Sequence, residues 1–141
     1  MKTEKRSNTG FEILNPKTLY NPTPYGYSHI ASIHPNSKLV FVAGQGGEDV
    51  EGNIHPDFRT QVKQAFENIK KALKDVGLDM TDIVKLTTLI VDHDASKHQI
   101  LTEESGLIWS HQIFPVQTLI PVPKLALEEM LFEIDAIAVK A

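Results

Sequence analysis

Cysteine is absent from the 141 residues of this sequence, and its apolar runs are short. Without cysteine, the chain forms no disulfide framework, no thiolate zinc site and no cysteine nucleophile. No apolar run approaches the roughly 20 residues that a membrane-spanning helix requires. The basic segment at residues 1–10 leads into no apolar stretch, so it does not read as a secretory signal. These absences predict a cytoplasmic protein that has no membrane partner.

Arginine is scarce, and the overall charge is acidic. Arg6 and Arg59 are the only arginines, and the formal net charge is −4 with a pI near 5.8. The acidic balance and the lack of a basic stripe argue against a nucleic-acid partner. Because arginine is the side chain best suited to bidentate recognition of a carboxylate or phosphate, few positions in this chain can provide it.

The rest of the composition is typical of a globular protein. Hydrophobic residues make up 41% of the sequence and charged residues 23%, which argues against intrinsic disorder. A chain of this length buries roughly two-thirds of its unfolded surface and fits one domain, residues 1–141. Residues 1–10 are polar, and we expect them to be frayed.

Hydrophobic spacing predicts two helices separated and flanked by strands. Asp57 is the expected N-cap of the first helix, and Gly77 ends it; the second helix is expected over residues 95–111. The sequence PNS at residues 35–37 predicts a tight turn that joins two strands in a hairpin. Strands are expected at residues 11–14, 27–34, 38–43, 83–91, 116–120 and 131–137.

This order of elements predicts an α+β domain in which a single mixed sheet carries both helices on one face. The strands supply more apolar surface than two helices can cover. We therefore expect the opposite face of the sheet to be buried against other subunits. The apolar strand positions behind this expectation include Val40, Val42, Leu86, Thr88 and Leu119.

The last two strands are predicted to form a pair that holds the chemistry. Gln117 lies on the first of them and Glu133 on the second. Glu133 and Asp135 alternate with apolar residues, so the two carboxylates share one face. That face is either a solvated edge or the place where one carboxylate is partly buried and holds a water molecule as a general base.

The glycine-rich run GQGG at residues 44–47 is open to three interpretations. It lacks the Gly-Lys-Ser/Thr ending of a phosphate-binding loop and does not open directly into a helix. A turn that needs positive φ angles is favoured. Alternatively, the amides of this run line a small-molecule cleft.

Aromatic and histidine side chains are candidate ligand contacts. Tyr27 has room to contact a ligand because its neighbours are Gly26 and Ser28, whereas Trp109 is expected in the core or at an interface. The six histidines show no metal-ligand spacing, and we predict no metal site.

Seven segments together resemble one known family. Their order and spacing over residues 24–140 are similar to those of the Rid family of reactive-intermediate deaminases, also called the YjgF family. The segments are YSH at 27–29, FVAGQ at 41–45, DF at 57–58, AFENI at 65–69, DIVK at 82–85, FPVQT at 114–118 and FEIDAIA at 132–138, with Gln61 also matching between the third and fourth.

The resemblance implies a chorismate-mutase-like α+β fold and a homotrimer. The sheets of the three subunits would form an inner barrel, with a cleft between each pair of adjacent subunits. The archetypal members hydrolyse imines or enamines to 2-oxo acids and ammonia without a cofactor. A ribonuclease or translation-inhibitor role, proposed for some relatives, is disfavoured here by the acidic balance.

The family pattern also implies the residues of the cleft. Glu133 matches the glutamate that positions the attacking water, and Gln117 stands where the family has the arginine that clamps the substrate carboxylate. Ala43 replaces a usual serine, and Lys124 is a substitute cation only if it reaches the cleft. The expected ligand-binding residues are Tyr27, Ala43, Gly44, Gln117, Thr118 and Leu119.

Because Gln117 stands where the resemblance implies an arginine, two functions are expected. A neutral amide cannot supply a charge-assisted fork. The first expectation is a divergent trimer that binds a small neutral or weakly polar metabolite, with doubtful activity on 2-iminobutanoate or iminopyruvate. The alternative is an active enamine or imine deaminase that uses Glu133 and accepts substrates without a carboxylate.

Overall fold

The structure, a computed structural model, describes residues 2–5, 10–110 and 113–141. In this part of the chain there are seven strands, two helices and two short 3₁₀ turns. The strands are β1 (Lys2–Lys5), β2 (Phe11–Asn15), β3 (Ile30–Ile33), β4 (Lys38–Gln45), β5 (Ile83–Val91), β6 (Val116–Val122) and β7 (Phe132–Lys140), and the helices are α1 (Phe58–Asp75) and α2 (Ala95–Trp109).

The main sheet has four strands in the order β4-β7-β5-β6. β5 and β6 are parallel, and the other two pairs are antiparallel. Both helices contribute buried residues to the core that packs on this sheet. The predicted α+β class, with two helices packed on a mixed sheet, is therefore confirmed.

The two central strands, β5 and β7, present one face to the helices and one away from them. Because paired residues on neighbouring strands share a face, the register defines both. The helix face carries Leu86, Thr88, Ile90, Phe132, Ile134 and Ala136, and the open face carries Lys85, Thr87, Leu89, Glu133, Asp135 and Ile137. The alternation of apolar residues with Glu133 and Asp135 along β7 is as predicted.

Helix α1 forms where the sequence predicts it. The Asp57 carboxylate accepts a hydrogen bond from the Thr60 amide at 2.9 Å, as an N-cap residue does. Gly77 follows the helix with a φ of 77°, a left-handed conformation that favours glycine. The buried stripe of the helix includes Val62, Ala65, Ile69 and Leu73.

The predicted hairpin over residues 27–43 is wrong, and so is the single sheet. A tight turn does occur at Asn36, which has a φ of 66°, but β3 pairs with β2 and β4 pairs with β7. Local turn chemistry specifies a reversal of the chain, but not the partner of each strand. The partner is decided by burial: Phe11 and Ile13 of β2 form a second core with Val84 and Val139.

The beginning of the chain differs in part from the expected fraying. The backbone of Lys2–Lys5 pairs with β2 and forms the third strand of the small sheet. Met1 and residues 6–9 lie outside the described residues, as does His111 at the expected end of the second helix. α2 is described as far as Trp109, which is 1% exposed and belongs to the core.

The predicted pairing of the last two strands is also wrong. β5 lies between β6 and β7. The chain leaves β5, crosses through α2 and returns in β6 parallel to β5, after which β7 lies on the other side of β5. The sequence IVKLTTLIV of β5 is apolar or threonine at every position but one, which suits a central strand.

The open face keeps apolar side chains exposed. Leu39, Phe41 and Ile120 are 45%, 70% and 43% exposed, and Phe41 pairs with Ile137 on this face. The uncovered surface was predicted, but the residues named for it were wrong. Val40, Val42, Leu86, Thr88 and Leu119 lie on the helix face, where all but the polar Thr88 join or contact the main core.

Candidate binding site

A short segment before β3 attaches to the start of β6. The Ser28 amide donates to the Pro115 carbonyl oxygen at 3.1 Å, and Ser28 forms an isolated parallel bridge with Val116. Asn15 fixes the same segment, because its Oδ1 accepts from the His29 amide at 2.9 Å. These contacts hold Tyr27 beside the edge strand that carries Gln117.

A cavity of about 270 Å³ opens at this edge of the sheet. We call it the recess; its lining combines the Tyr27 segment, α2 and β6. It shares three residues with a more open cavity of about 480 Å³, which we call the tyrosine vestibule. The recess is lined by Tyr25, Tyr27, His98, Leu101, Gln117, Thr118 and Leu119, and the vestibule by Tyr20, Tyr25, Tyr27 and His98.

A hydrogen bond from the buried Thr88 fixes the side chain of Gln117. The Thr88 hydroxyl donates a hydrogen bond to Gln117 Oε1 at 2.6 Å, and Thr88 is fully buried. Gln117 pairs with Leu86, so it lies on the helix face of β6. None of the described residues that line the recess is a lysine or an arginine. The recess therefore has no fixed positive charge at the position expected to clamp a carboxylate.

The two basic side chains that could take the role of the arginine expected from the resemblance, Arg59 and Lys124, lie outside the recess. Arg59 donates to the buried Glu104 at 2.5 Å, which ties α1 to α2. Hydrogen bonding to Glu104 raises the pKa of Arg59 above its ordinary value. Lys124 is 80% exposed beside Glu128 and does not line the recess.

Glu133 lies on the open face, away from the recess, against Gly44. A Cβ added to Gly44 would lie 2.8 Å from Cδ of Glu133. Burial raises the pKa of the Glu133 carboxyl above its ordinary value, and the nearby charges of Glu48 and Asp135 raise it further. A half-buried carboxyl with a raised pKa suits general acid–base chemistry.

A polar link on the open face runs from β5 to β6. Lys85 Nζ donates to Thr118 Oγ1 at 2.7 Å. Burial lowers the pKa of Lys85, and Asp135 opposes this shift. The Thr118 hydroxyl therefore belongs to the open face, although Thr118 also contributes to the wall of the recess.

The expected left-handed turn at residues 44–47 is wrong. None of Gly44, Gly46 and Gly47 has a positive φ; the described glycines that do are Gly10, Gly26, Gly52 and Gly77. The glycines of the run are required by close approach instead. A Cβ on Gly47 would lie 2.8 Å from Cα of Gln61, and one on Gly46 would lie 2.6 Å from Cε of Met130.

Two α1 side chains that match the family pattern, but were not predicted to belong to the site, hold the loops around Glu133. Gln61 is fully buried; its Nε2 donates to the carbonyl oxygens of His55 and Glu129, and its Oε1 accepts from the Leu131 amide, each at 2.9 Å. Asn68 Nδ2 donates to the Glu48 carbonyl oxygen at 2.8 Å. The sequence did contain a signal for them: each is a polar residue on the side of α1 that faces the interior. A buried polar side chain requires hydrogen-bond partners.

The described residues offer neither a cluster of metal ligands nor a membrane-spanning helix. Within residues 10–110 and 113–141, no group of three or more histidine or acidic side chains is placed to hold a metal ion. Asp94, adjacent to His93, caps α2 by accepting from the Lys97 amide at 2.8 Å. Of the helices in the described part of the chain, none is long and apolar enough to cross a membrane.

The predicted site residues therefore fall into two groups within one chain. Tyr27, Gln117, Thr118 and Leu119 meet in the recess. Ala43 and Gly44 lie with Glu133 near the other edge of the sheet, where the Ala43 carbonyl oxygen accepts from Gln45 Nε2 at 3.1 Å. β5 lies between β6, which carries Gln117, and β7, which carries Glu133.

Two helices packed on a mixed sheet, with an edge recess and a carboxylate on the open face, define an α+β protein with a candidate small-molecule site. A sequence model described as Endoribonuclease L-PSP matches residues 21–140. The chain belongs to this family, which confirms the resemblance to Rid/YjgF proteins.

Three relatives show the extent of the similarity. The RutC family protein YjgH of Escherichia coli K12 is 35% identical over 100 residues, 71% of this chain and 74% of YjgH. A 2-iminobutanoate/2-iminopropanoate deaminase of Salmonella typhimurium is 30% identical over 103 residues, 72% of this chain and 80% of the deaminase. The solved structure of the Rid family protein YyfB from Yersinia pestis has a TM-score of 0.86 and 29% identity, over 92% of this chain and 98% of that one.

Proposed function

We propose that this protein is a divergent Rid-family homotrimer of the cytoplasm that binds a small neutral or weakly polar metabolite in a cleft between subunits. Its hydrolysis of 2-iminobutanoate or iminopyruvate is at most weak. The observation that carries the proposal is the amide of Gln117, held by Thr88 at 2.6 Å in a recess whose described lining has no lysine or arginine. A hydrogen bond to a charged group contributes roughly 1.5–3 kcal/mol. The loss of a guanidinium therefore weakens carboxylate binding by a few kcal/mol.

The separation of the two residue groups supports an assembled site. Within one chain, the recess and Glu133 lie on opposite faces of the sheet, so they do not form one pocket. If the open face of one subunit packs beside the edge of another, Glu133 of one copy faces Gln117 of the next. The surface for that packing is supplied by exposed apolar side chains, namely those of Leu39, Phe41 and Ile120.

The alternative function is an active imine deaminase. It is favoured by the raised pKa of Glu133 and by the similarity to a protein named 2-iminobutanoate/2-iminopropanoate deaminase. In this reaction Glu133 takes a proton from water while the water oxygen adds to the C=N carbon, and Glu133 then gives that proton to the nitrogen. The hydroxyl of the resulting carbinolamine passes its proton to the nitrogen through Glu133, the C–N bond breaks as the C=O bond forms, and a carbonyl product and ammonia leave. Substrates would be those whose binding does not depend on a carboxylate.

A coupled assay that generates 2-iminobutanoate separates the two functions. We expect the wild-type protein at catalytic concentration to accelerate hydrolysis little over buffer. Gln117→Arg should raise the rate at least tenfold, because the guanidinium restores the clamp. Gln99→Arg, which adds the same charge at an exposed position of α2, is the control and should have no effect.

Two outcomes contradict the proposal. Rapid hydrolysis by the wild-type protein, abolished by Glu133→Gln, would show that the alternative is correct. No gain from Gln117→Arg, in a protein that remains folded and assembled, would show that the pocket has diverged more widely, so that Gln117 does not limit the reaction as proposed.

A further inference from the structure

The buried hydroxyl of Thr88 determines which end of the Gln117 amide faces the recess. A buried hydroxyl proton requires an acceptor, and Gln117 Oε1 is the acceptor recorded for Thr88 among the described residues. The amide oxygen is therefore turned inward, and Nε2 is turned toward the cavity. Two N–H groups are available there, because a primary amide nitrogen donates but does not accept.

The vestibule beside Gln117 is built from aromatic rings at steep angles. Tyr20 and Tyr25 lie 6.1 Å apart with their planes at 81°, and Tyr20 and Tyr27 lie 6.5 Å apart at 63°. The hydroxyls of Tyr20 and Tyr27 are hydrogen-bonded to each other. His29 Nε2 donates to the Tyr20 carbonyl oxygen at 2.8 Å. These contacts fix a concave aromatic wall that suits a flat ring.

The charge around the cavity restricts the ligand further. The described residues that line the recess and the vestibule include one histidine and no aspartate, glutamate, lysine or arginine. A carboxylate would lose water there without gaining a counter-ion, which is unfavourable. An ammonium group only donates hydrogen bonds, so it finds no acceptor in the N–H groups of Gln117. The volumes, about 270 and 480 Å³, are comparable with the roughly 300–1,000 Å³ of small-molecule sites.

We infer that the recess selects a flat, uncharged ring compound that carries a carbonyl oxygen. The oxygen accepts from Gln117 Nε2, and the ring lies against Tyr25 and Tyr27. Thr88 is the positioning residue that makes Gln117 a donor rather than an acceptor. The inference rests on the proposed function, because it names the ligand class of the same cleft.

Four probes that share one ring test this inference: benzamide, benzoate, benzylammonium and toluene. Binding is measured by ligand-observed NMR titration at pH 8, where imidazole groups are in general uncharged. We expect benzamide to bind at least tenfold more tightly than benzoate and benzylammonium, and about three- to tenfold more tightly than toluene. The last ratio corresponds to one neutral hydrogen bond.

Variants assign the selectivity to particular side chains. Gln117→Leu keeps the size of the side chain and should reduce benzamide binding to the level of toluene. Thr88→Val is nearly isosteric and releases the amide, so it should weaken benzamide binding about threefold and leave toluene unchanged. Tyr25→Leu should weaken both probes alike. Thermal melting and sedimentation of each variant verify that it is folded and assembled.

Three results would overturn the inference. One is benzoate binding as tightly as benzamide, and another is benzylammonium binding more tightly than benzamide, as an aromatic cation cage would require. The third is benzamide binding that Gln117→Leu and Thr88→Val leave unchanged. If Gln117→Leu fails to fold, the wild-type probe series and Thr88→Val still decide the matter.

The same titrations separate this inference from the proposed function. Tight binding of 2-oxobutanoate by the wild-type protein would defeat the proposed function, because it would show that a carboxylate is held without arginine. If neither the ring probes nor 2-oxobutanoate bind, and Gln117→Arg then binds 2-oxobutanoate, only the ring-compound inference is wrong.

Discussion

Gly44 lies directly against Glu133, since a Cβ on Gly44 would come within 2.8 Å of Cδ and 3.1 Å of Oε1 of that side chain. The glycine leaves space for a carboxyl that is half-buried on the open face, near the charges of Glu48 and Asp135. The contact also explains how the sequence GQGG supports the site without a left-handed turn. Glycine is needed at this position because it leaves room for the neighbouring Glu133 side chain, and not because the backbone adopts a positive φ angle.

Alanine substitutions in this run should have unequal effects on stability. Gly44→Ala meets the flexible end of Glu133, so the side chain moves and the free energy of unfolding changes by less than about 0.5 kcal/mol. Gly47→Ala meets the backbone of α1 at Gln61, 2.8 Å away, and overpacking there should destabilise the protein by about 1–3 kcal/mol. Urea unfolding at one protein concentration measures both. Equal losses would contradict the close-approach explanation.

The raised pKa of Glu133 predicts a pH dependence of stability. Because the native protein binds this proton more tightly than the unfolded chain does, its stabilising contribution is present below about pH 4.5, the ordinary pKa. It is lost as the pH rises through the raised pKa. Glu133→Gln should therefore become increasingly stable relative to wild type above pH 4.5, by less than about 1 kcal/mol because the group is partly solvated.

Urea unfolding from pH 4 to pH 8 measures that difference, and a carbon-13 NMR titration of the carboxyl measures the pKa itself. Glu128→Gln is the matched control, since the Glu128 side chain is 88% exposed. A Glu133 carboxyl that titrates at or below 4.5 would contradict its burial against Gly44.

The buried amide of Gln61 should contribute far more to the free energy of unfolding than the amide of a partly exposed glutamine does. Gln61→Leu removes three hydrogen bonds of 2.9 Å and leaves backbone groups of the two loops unpaired in the interior. We expect a loss of about 2–4 kcal/mol in the free energy of unfolding.

The control for that experiment is Gln64→Leu, one turn further along α1. Gln64 donates to Asn68 Oδ1 at 2.9 Å and is only partly buried, so its loss should cost less than about 1 kcal/mol. Similar losses for the two variants would show that Gln61 does not hold the loops.

The open face should be sensitive to charge if it forms the proposed trimer interface. Phe41 on β4 and Leu107 on α2 are both 70% exposed. Phe41→Asp should convert trimers to monomers in sedimentation velocity, because the carboxylate would be buried without a partner. Leu107→Asp on the helix side should leave the assembly unchanged. A wild-type monomer, or equal effects of the two variants, would contradict the proposed interface.

Sequence patterns predicted the features that depend on neighbours along the chain. The cap at Asp57, the apolar stripe of α1 and the alternation that places Glu133 and Asp135 on one face all follow from local spacing and side-chain chemistry. The exposed apolar surface of the sheet was predicted in the same way. That Gln117 stands where the family pattern has an arginine rests on the resemblance alone and stays a prediction.

Sequence alone determined the periodic elements, the α+β class and the uncharged side chain at residue 117, because these depend on residue type and on spacings of a few residues. Only the tertiary structure decided that β5 separates Gln117 from Glu133, that β3 and β4 belong to different sheets, and that Thr88 turns the Gln117 amide. Each of these depends on which distant segments pair, and pairing is set by the burial of the whole chain rather than by any one stretch.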